Sequence, residues 1–163
     1  MIIDILDWKF EVALERTMAR SALEAAEHCD CAYCRNFYAS IDQENPELRY
    51  FLAEFGLDIE APDVLYPYDI GKQMCYEGEY LVFGRILIQG SAGITVGGAY
   101  IYPNLESTHP VEQPHFVLSL EEQQLTWVLD EQLEDVVSTA NEPSFLKKMW
   151  QRLLGRSEKT KEQ

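Results

Sequence analysis

The chain of 163 residues sets 28 Asp and Glu against 13 Lys and Arg, a formal charge of −15, and is 47% apolar with seven Phe, nine Tyr and three Trp. That length suits one domain that buries a core without metals or disulfides to keep it folded, and the aromatic content argues against general disorder. The negative charge disfavours DNA or RNA as a direct ligand, and no apolar run approaches the roughly 18 residues of a membrane-spanning helix. No basic-then-apolar segment opens the chain, so the expected location is the cytoplasm, with no membrane partner.

Residues 9–28 place Phe10, Ala13, Leu14, Thr17, Met18, Ser21, Ala22 and Ala25 at three- and four-residue spacing, with charged residues mostly opposite. This pattern predicts an amphipathic helix that delivers the chain to a cysteine cluster. Residues 34–42 continue as a short helix. Asn45-Pro46 then reads as N-cap and first helical residue of a segment ending before Gly56, with Leu48, Phe51, Leu52 and Phe55 as its buried face.

After Ala61-Pro62 the period changes to that of strands, over 63–68, 73–77, 80–89, 94–102, 115–120 and 125–129. Gly78, the segment Gly90 to Gly93, and Glu121 to Gln124 are the expected turns. An antiparallel meander of five to six strands follows, with helices at both ends of the chain, so the fold class is α+β. The Pro-containing stretch 103–114 is the expected irregular loop. Asn141 caps a C-terminal amphipathic helix with Pro143 in its first turn and Phe145, Leu146, Met149, Trp150, Leu153 and Leu154 on one face. The expected organisation is a single domain over 1–156 and a disordered charged tail over 157–163.

Three cysteines and a histidine fall within seven residues, His28-Cys29-Asp30-Cys31-Ala32-Tyr33-Cys34. Thiolates packed this closely repel one another unless a cation, a disulfide or redox chemistry holds them together. In a reducing compartment the first and third explanations come first. Cys31 and Cys34 have the Cys-x-x-Cys spacing that aims two sulfurs at one point, and Cys29 adds a third. Cys75 is the expected fourth ligand, with His28 the alternative and His109 and His115 outside candidates. The expected metal set is therefore Cys29, Cys31, Cys34 and Cys75 around a structural zinc. The rival reading takes Cys31-Ala32-Tyr33-Cys34 as a dithiol at a helix start, where the helix N-terminus lowers the thiol pKa and makes Cys31 a nucleophile. A long helix rather than a strand precedes it, which differs from thioredoxin-like enzymes. No His has the Glu two residues on that a zinc deaminase needs, and His-Glu-x-x-His is absent. No catalytic residue is assigned.

Cys31-Ala32-Tyr33-Cys34-Arg35-Asn36-Phe37, Phe55-Gly56-Leu57-Asp58, Val64-Leu65-Tyr66 and Val82-Phe83-Gly84-Arg85-Ile86 together resemble a group of small bacterial proteins with a Cys-x-x-Cys-x-Asn-Phe signature. The resemblance spans about residues 29 to 90 and implies a shared fold. Within it, Asn36 is placed to hydrogen-bond the cysteine turn or to cap the next helix.

The charge is unevenly spread. No Lys or Arg occurs from Ile86 to Leu146, while Glu121, Glu122, Asp130, Glu131, Glu134 and Asp135 all fall there; residues 147–163 reverse the sign. These six acids are the expected partner-binding surface, and the expected partner is a basic protein surface such as that of a nucleic-acid-binding protein. The chain thus reads as an acidic, non-catalytic protein of bacterial or phage type with a zinc-binding cysteine cluster, one concrete form being a nucleic-acid-mimicking inhibitor. A thiol oxidoreductase using Cys31 and Cys34, or a housekeeping protein whose charge serves solubility, are the alternatives.

Overall fold

A computed structural model describes residues 1–69, 73–105 and 111–131. Met1–Val128 forms one compact unit and Leu129–Gln163 a second, of which only 129–131 are described. The C-terminal helix expected after Asn141 and the 157–163 tail lie outside the described residues.

The first unit is α+β, its described residues forming three helices and an antiparallel sheet of seven strands. It opens with a hairpin, β1 (Ile2–Ile5) and β2 (Trp8–Val12), joined through Leu6 and Asp7. The sequence pattern had assigned residues 9–12 to the helix. Trp8, Phe10 and Val12 instead alternate with Lys9 and Glu11 and bury almost completely, which is strand periodicity running into a helical one. Helix α1 therefore starts later, at Leu14, and ends at Ala26.

The buried face of α1 is small and polar. Thr17 Oγ1 accepts from Phe83 N at 3.1 Å, Ser21 Oγ accepts from Asp58 N at 2.9 Å, and Arg20 Nε donates to Asp63 Oδ1 at 2.7 Å. Met18, expected on the apolar stripe, is exposed, as is Leu23. Helix α2 (Ala32–Glu44) buries Cys34, Asn36, Phe37, Ser40 and Ile41. Helix α3 (Pro46–Glu54) has the expected start, Leu48 N donating to Asn45 Oδ1 at 3.1 Å with Pro46 in the first turn. It closes through Gly56 at φ 80, where Leu57 N returns to Leu52 O.

Two long strands organise the sheet: β4 (Gln73–Ile88) and β7 (His115–Thr126). β3 (Val64–Asp69) and β2 pair with successive halves of one edge of β4, and β7 takes the other edge. β5 (Ile94–Val96) and β6 (Ala99–Asn104) complete the order β1-β2-β4-β7-β6-β5. β7 thus inserts between β4 and β6, and the order departs from a simple meander. β2 passes so close to Gly84 that a Cβ there would overlap Glu11 O.

The turns expected at Gly78 and at Glu121 to Gln124 are both absent. The ladder runs through both, with Tyr76 opposite Gln123 and Gly78 opposite Leu120. Between those pairs Glu77 alone faces Glu121 and Glu122, and Glu122 takes φ 53. This is a β-bulge that bends two continuous strands in place of two hairpins.

Phe10 centres the core, stacked on Phe116 at 5.2 Å and edge-on to Phe55 at 5.3 Å. Trp8 meets Tyr102 of β6 at 6.2 Å and donates from Nε1 to Ala92 O at 2.7 Å, although β4 and β7 lie between β2 and β6 in the sheet. The sheet is therefore strongly curled, and its interior is the apolar core.

Candidate metal centre

Helix α1 ends at Ala26 with Glu27 as its C-cap, and α2 begins at Ala32 with Cys31 as its N-cap. The intervening loop carries His28, Cys29 and Asp30. Cys31 sits in extended conformation, φ −65 and ψ 155, and its carbonyl accepts the first helical bond from Arg35 N at 3.0 Å. Arg35 Nε turns back to Asp30 O at 2.9 Å and closes the loop. One turn into α2, Cys34 brings its sulfur back toward the other two.

The sulfurs of Cys29, Cys31 and Cys34 all lie within 4.8 Å of one another. Cys29 and Cys31 are partly exposed and Cys34 is buried. Three sulfurs bound to one zinc at about 2.3 Å in tetrahedral geometry stand about 3.8 Å apart, so a small contraction brings the trio to bonding distance. The group can hold a metal ion. Its protonation is already polarised: the Cys34 thiol directs its proton to Cys31, and with backbone N–H groups of the turn this lowers the Cys31 pKa to about 5 against the opposing effect of burial. The same hydrogen bond, with burial and the neighbouring sulfur charges, pushes Cys34 far above the ordinary thiol range. The trio therefore carries thiolate at neutral pH, the form that metals and electrophiles require.

Aromatic and amide side chains frame the loop. Tyr38 is hydrogen-bonded to Cys34, and burial together with the charge on Cys34 and Cys29 pushes its hydroxyl pKa up. The His28 ring stacks on Tyr38 with centroids 4.2 Å apart and planes at 15°. Tyr33, inside the Cys-x-x-Cys turn, meets Trp127 edge-on at 6.2 Å. Tyr76 donates from its hydroxyl to Tyr33 O at 2.9 Å, which ties the turn to β4.

Asn36 is fully buried and does not bond the cysteine turn directly, nor does it cap a helix. Its Nδ2 donates to Tyr76 Oη at 3.2 Å and to Thr126 O at 3.1 Å, while Oδ1 accepts from Val128 N at 2.8 Å. Its side chain connects to the cysteine turn through Tyr76 and Tyr33 O, and it docks α2 onto the end of β7. The signal for this was a polar residue on the helical face shared with Phe37, Ser40 and Ile41; its partners, 40 and 90 residues away, were invisible.

Cys75 does not join the sulfur group. Adjacent strand residues point to opposite faces, and Tyr76 points toward α2 and Tyr33. Cys75 consequently faces the other side of the sheet, where it is buried and hydrogen-bonded to Tyr68 across the β3–β4 pair. The expected fourth ligand is on the wrong face. His115 is buried at the start of β7 with Nδ1 3.3 Å from Glu112 O, and His109 lies outside the described residues.

Of the acids expected to meet a partner, Glu121 and Glu122 are exposed at the bulge opposite Glu77, whose carboxylate accepts from Tyr68 Oη at 3.2 Å. Asp130 and Glu131 are exposed in the described part of the second unit, and Glu134 and Asp135 lie outside the described residues. Comparison with family models, with curated proteins and with solved structures finds no match for the chain. The Cys-x-x-Cys-x-Asn-Phe resemblance is therefore not extended beyond the residues that carry it.

Proposed function

We propose that this is a non-catalytic binding protein whose Cys29, Cys31 and Cys34 hold one thiophilic metal ion, with zinc the first candidate. The observation that carries the reading is the convergence of three sulfurs on a space less than 4.8 Å across. A cation there relieves the repulsion of three thiolates, and metal thiolate bonds stabilise a loop that has little apolar burial of its own. The ion would brace the α1–α2 junction, and the acidic surface would receive a basic protein partner by charge complementarity. Glu121 and Glu122 are described, exposed residues of the first unit for that contact.

Native mass spectrometry of the zinc-titrated chain, followed by alkylation and peptide mapping, tests the metal reading. The expected result is one ion per chain, with zinc protecting Cys29, Cys31 and Cys34 but leaving the alkylation of Cys75 unchanged. Absence of a bound ion, or protection that includes Cys75, contradicts it.

A second reading draws on a different observation. Cys31 is an N-cap thiolate, part-exposed, with the buried protonated Cys34 beside it. That is the division of labour of a dithiol reductant. The Cys31 thiolate would attack a substrate disulfide, Cys34 would resolve the mixed disulfide, and two electrons would pass to the substrate as a Cys31–Cys34 disulfide forms. Disulfide reduction by the metal-free chain, lost in Cys31→Ser and retained in Cys29→Ser, distinguishes this from the metal reading.

A further inference from the structure

Among the described residues three sulfurs form the group, whereas thiolate-bound zinc ordinarily takes four ligands. Resting on the metal reading above, we infer that His28 supplies the fourth by leaving the face of Tyr38 and turning its imidazole onto the ion. His28 is the covalent neighbour of Cys29, so binding Cys29 already brings its backbone to the site. Its side chain is exposed, and its stacking partner Tyr38 is half-buried and no part of the core. The His28 ring nitrogens stand outside the sulfur group, but the ring lies 4.2 Å from that of Tyr38, whose hydroxyl is hydrogen-bonded to Cys34 and receives the Cys29 N–H. Tyr38 thus holds the imidazole in reserve and keeps its hydroxyl at the Cys34 sulfur.

The rivals are less well placed. Cys75 faces the opposite side of the sheet, and His115 is buried beside Phe83 at the end of β7 remote from Thr126, the residue that Asn36 binds. Asp30 is close in sequence and exposed, yet its carboxylate is a harder donor than imidazole for an ion already held by three thiolates.

The full-length, nitrogen-15-labelled chain loaded with cadmium-113 reports the ligand set directly. A through-bond cadmium–nitrogen coupling to the His28 imidazole is expected. His28→Ala should abolish the coupling, keep one ion per chain on the three sulfurs, and weaken binding by about tenfold or more, while Asp30→Asn leaves both unchanged. A bound ion with no imidazole coupling, a coupling to His109 or His115, or an unaltered spectrum in His28→Ala overturns the assignment while leaving the metal reading intact. A wild-type chain that binds neither cadmium nor zinc overturns both.

Discussion

The sheet and the α1–α2 loop are held by different forces. The sheet surrounds Phe10, Phe116, Met74, Tyr80 and Val82, all fully buried, and each such side chain contributes on the order of 2–3 kcal/mol by leaving water. The loop from Glu27 to Cys31 has no residue in that core. Its contacts include the Arg35–Asp30 O bond, the Cys29 N–H bond to the Tyr38 hydroxyl, the His28–Tyr38 stack and the sulfurs themselves. The sheet should therefore fold without a metal, and the loop should be the part that senses one. Asn36 and Tyr76 are the bridge, buried polar groups that fasten α2 to β4 and β7.

The largest expected effect strikes the sheet alone. Phe10→Ala opens a cavity between Phe116 and Phe55 and should cost about 3–5 kcal/mol of unfolding free energy in denaturant melts. The loss should be equal with and without zinc, because Phe10 touches nothing in the loop. A loss that zinc restores would break the separation.

Next is the bridge. Asn36→Ala leaves Val128 N–H and Thr126 O without their partner and removes a donor from Tyr76, costing roughly 2–4 kcal/mol by the same melts. Weaker metal affinity should accompany it, since Tyr76 ties Tyr33 O of the cysteine turn to that network.

Metal removal should act in the opposite place. Chelation is expected to speed amide hydrogen exchange across residues 28–35 and leave residues 80–83 and 116–118 protected. Uniform loss of protection would show that the ion supports the whole domain.

In the metal-free chain the thiols titrate unequally. The folded pKa of Cys31 is lowered to about 5, and the thiolate is the reactive form. Its alkylation rate should rise as pH increases through about 5 and level off by neutrality, rather than rising through the ordinary thiol range near 8.5. Zinc should suppress that rate. The smallest effect belongs to the bulge: Glu121→Lys with Glu122→Lys should shift stability by less than about 0.5 kcal/mol while weakening, in a salt-dependent way, the capture of a basic partner.

Local chemistry was legible and pairing was not. Asn45-Pro46 announced α3 because capping depends on adjacent residues, and the Cys-x-x-Cys spacing announced the sulfur site for the same reason. The N-terminal hairpin was hidden because Phe10 fits both a period of two and the helical stripe of residues 9–28. Gly78 and Glu121 to Gln124 looked like turns because each strand carries its own irregularity there. Only the pairing of Glu77 against Glu121 and Glu122 reveals one shared bulge. Cys75 was assigned to the metal set by residue type alone. Strand parity relative to Tyr76 decides its face, and the direction of Tyr76 depends on Tyr33 and Asn36 far along the chain.

The central claim is that three clustered cysteines, without Cys75, bind a metal. Metal content of the full-length chain purified without a metal-binding tag, measured beside Cys34→Ser and Cys75→Ser, tests it most directly. One zinc per chain in the wild type and in Cys75→Ser, with loss in Cys34→Ser, is the predicted result. A wild type free of metal even after zinc loading, or a Cys75→Ser chain that has lost its ion, would contradict it.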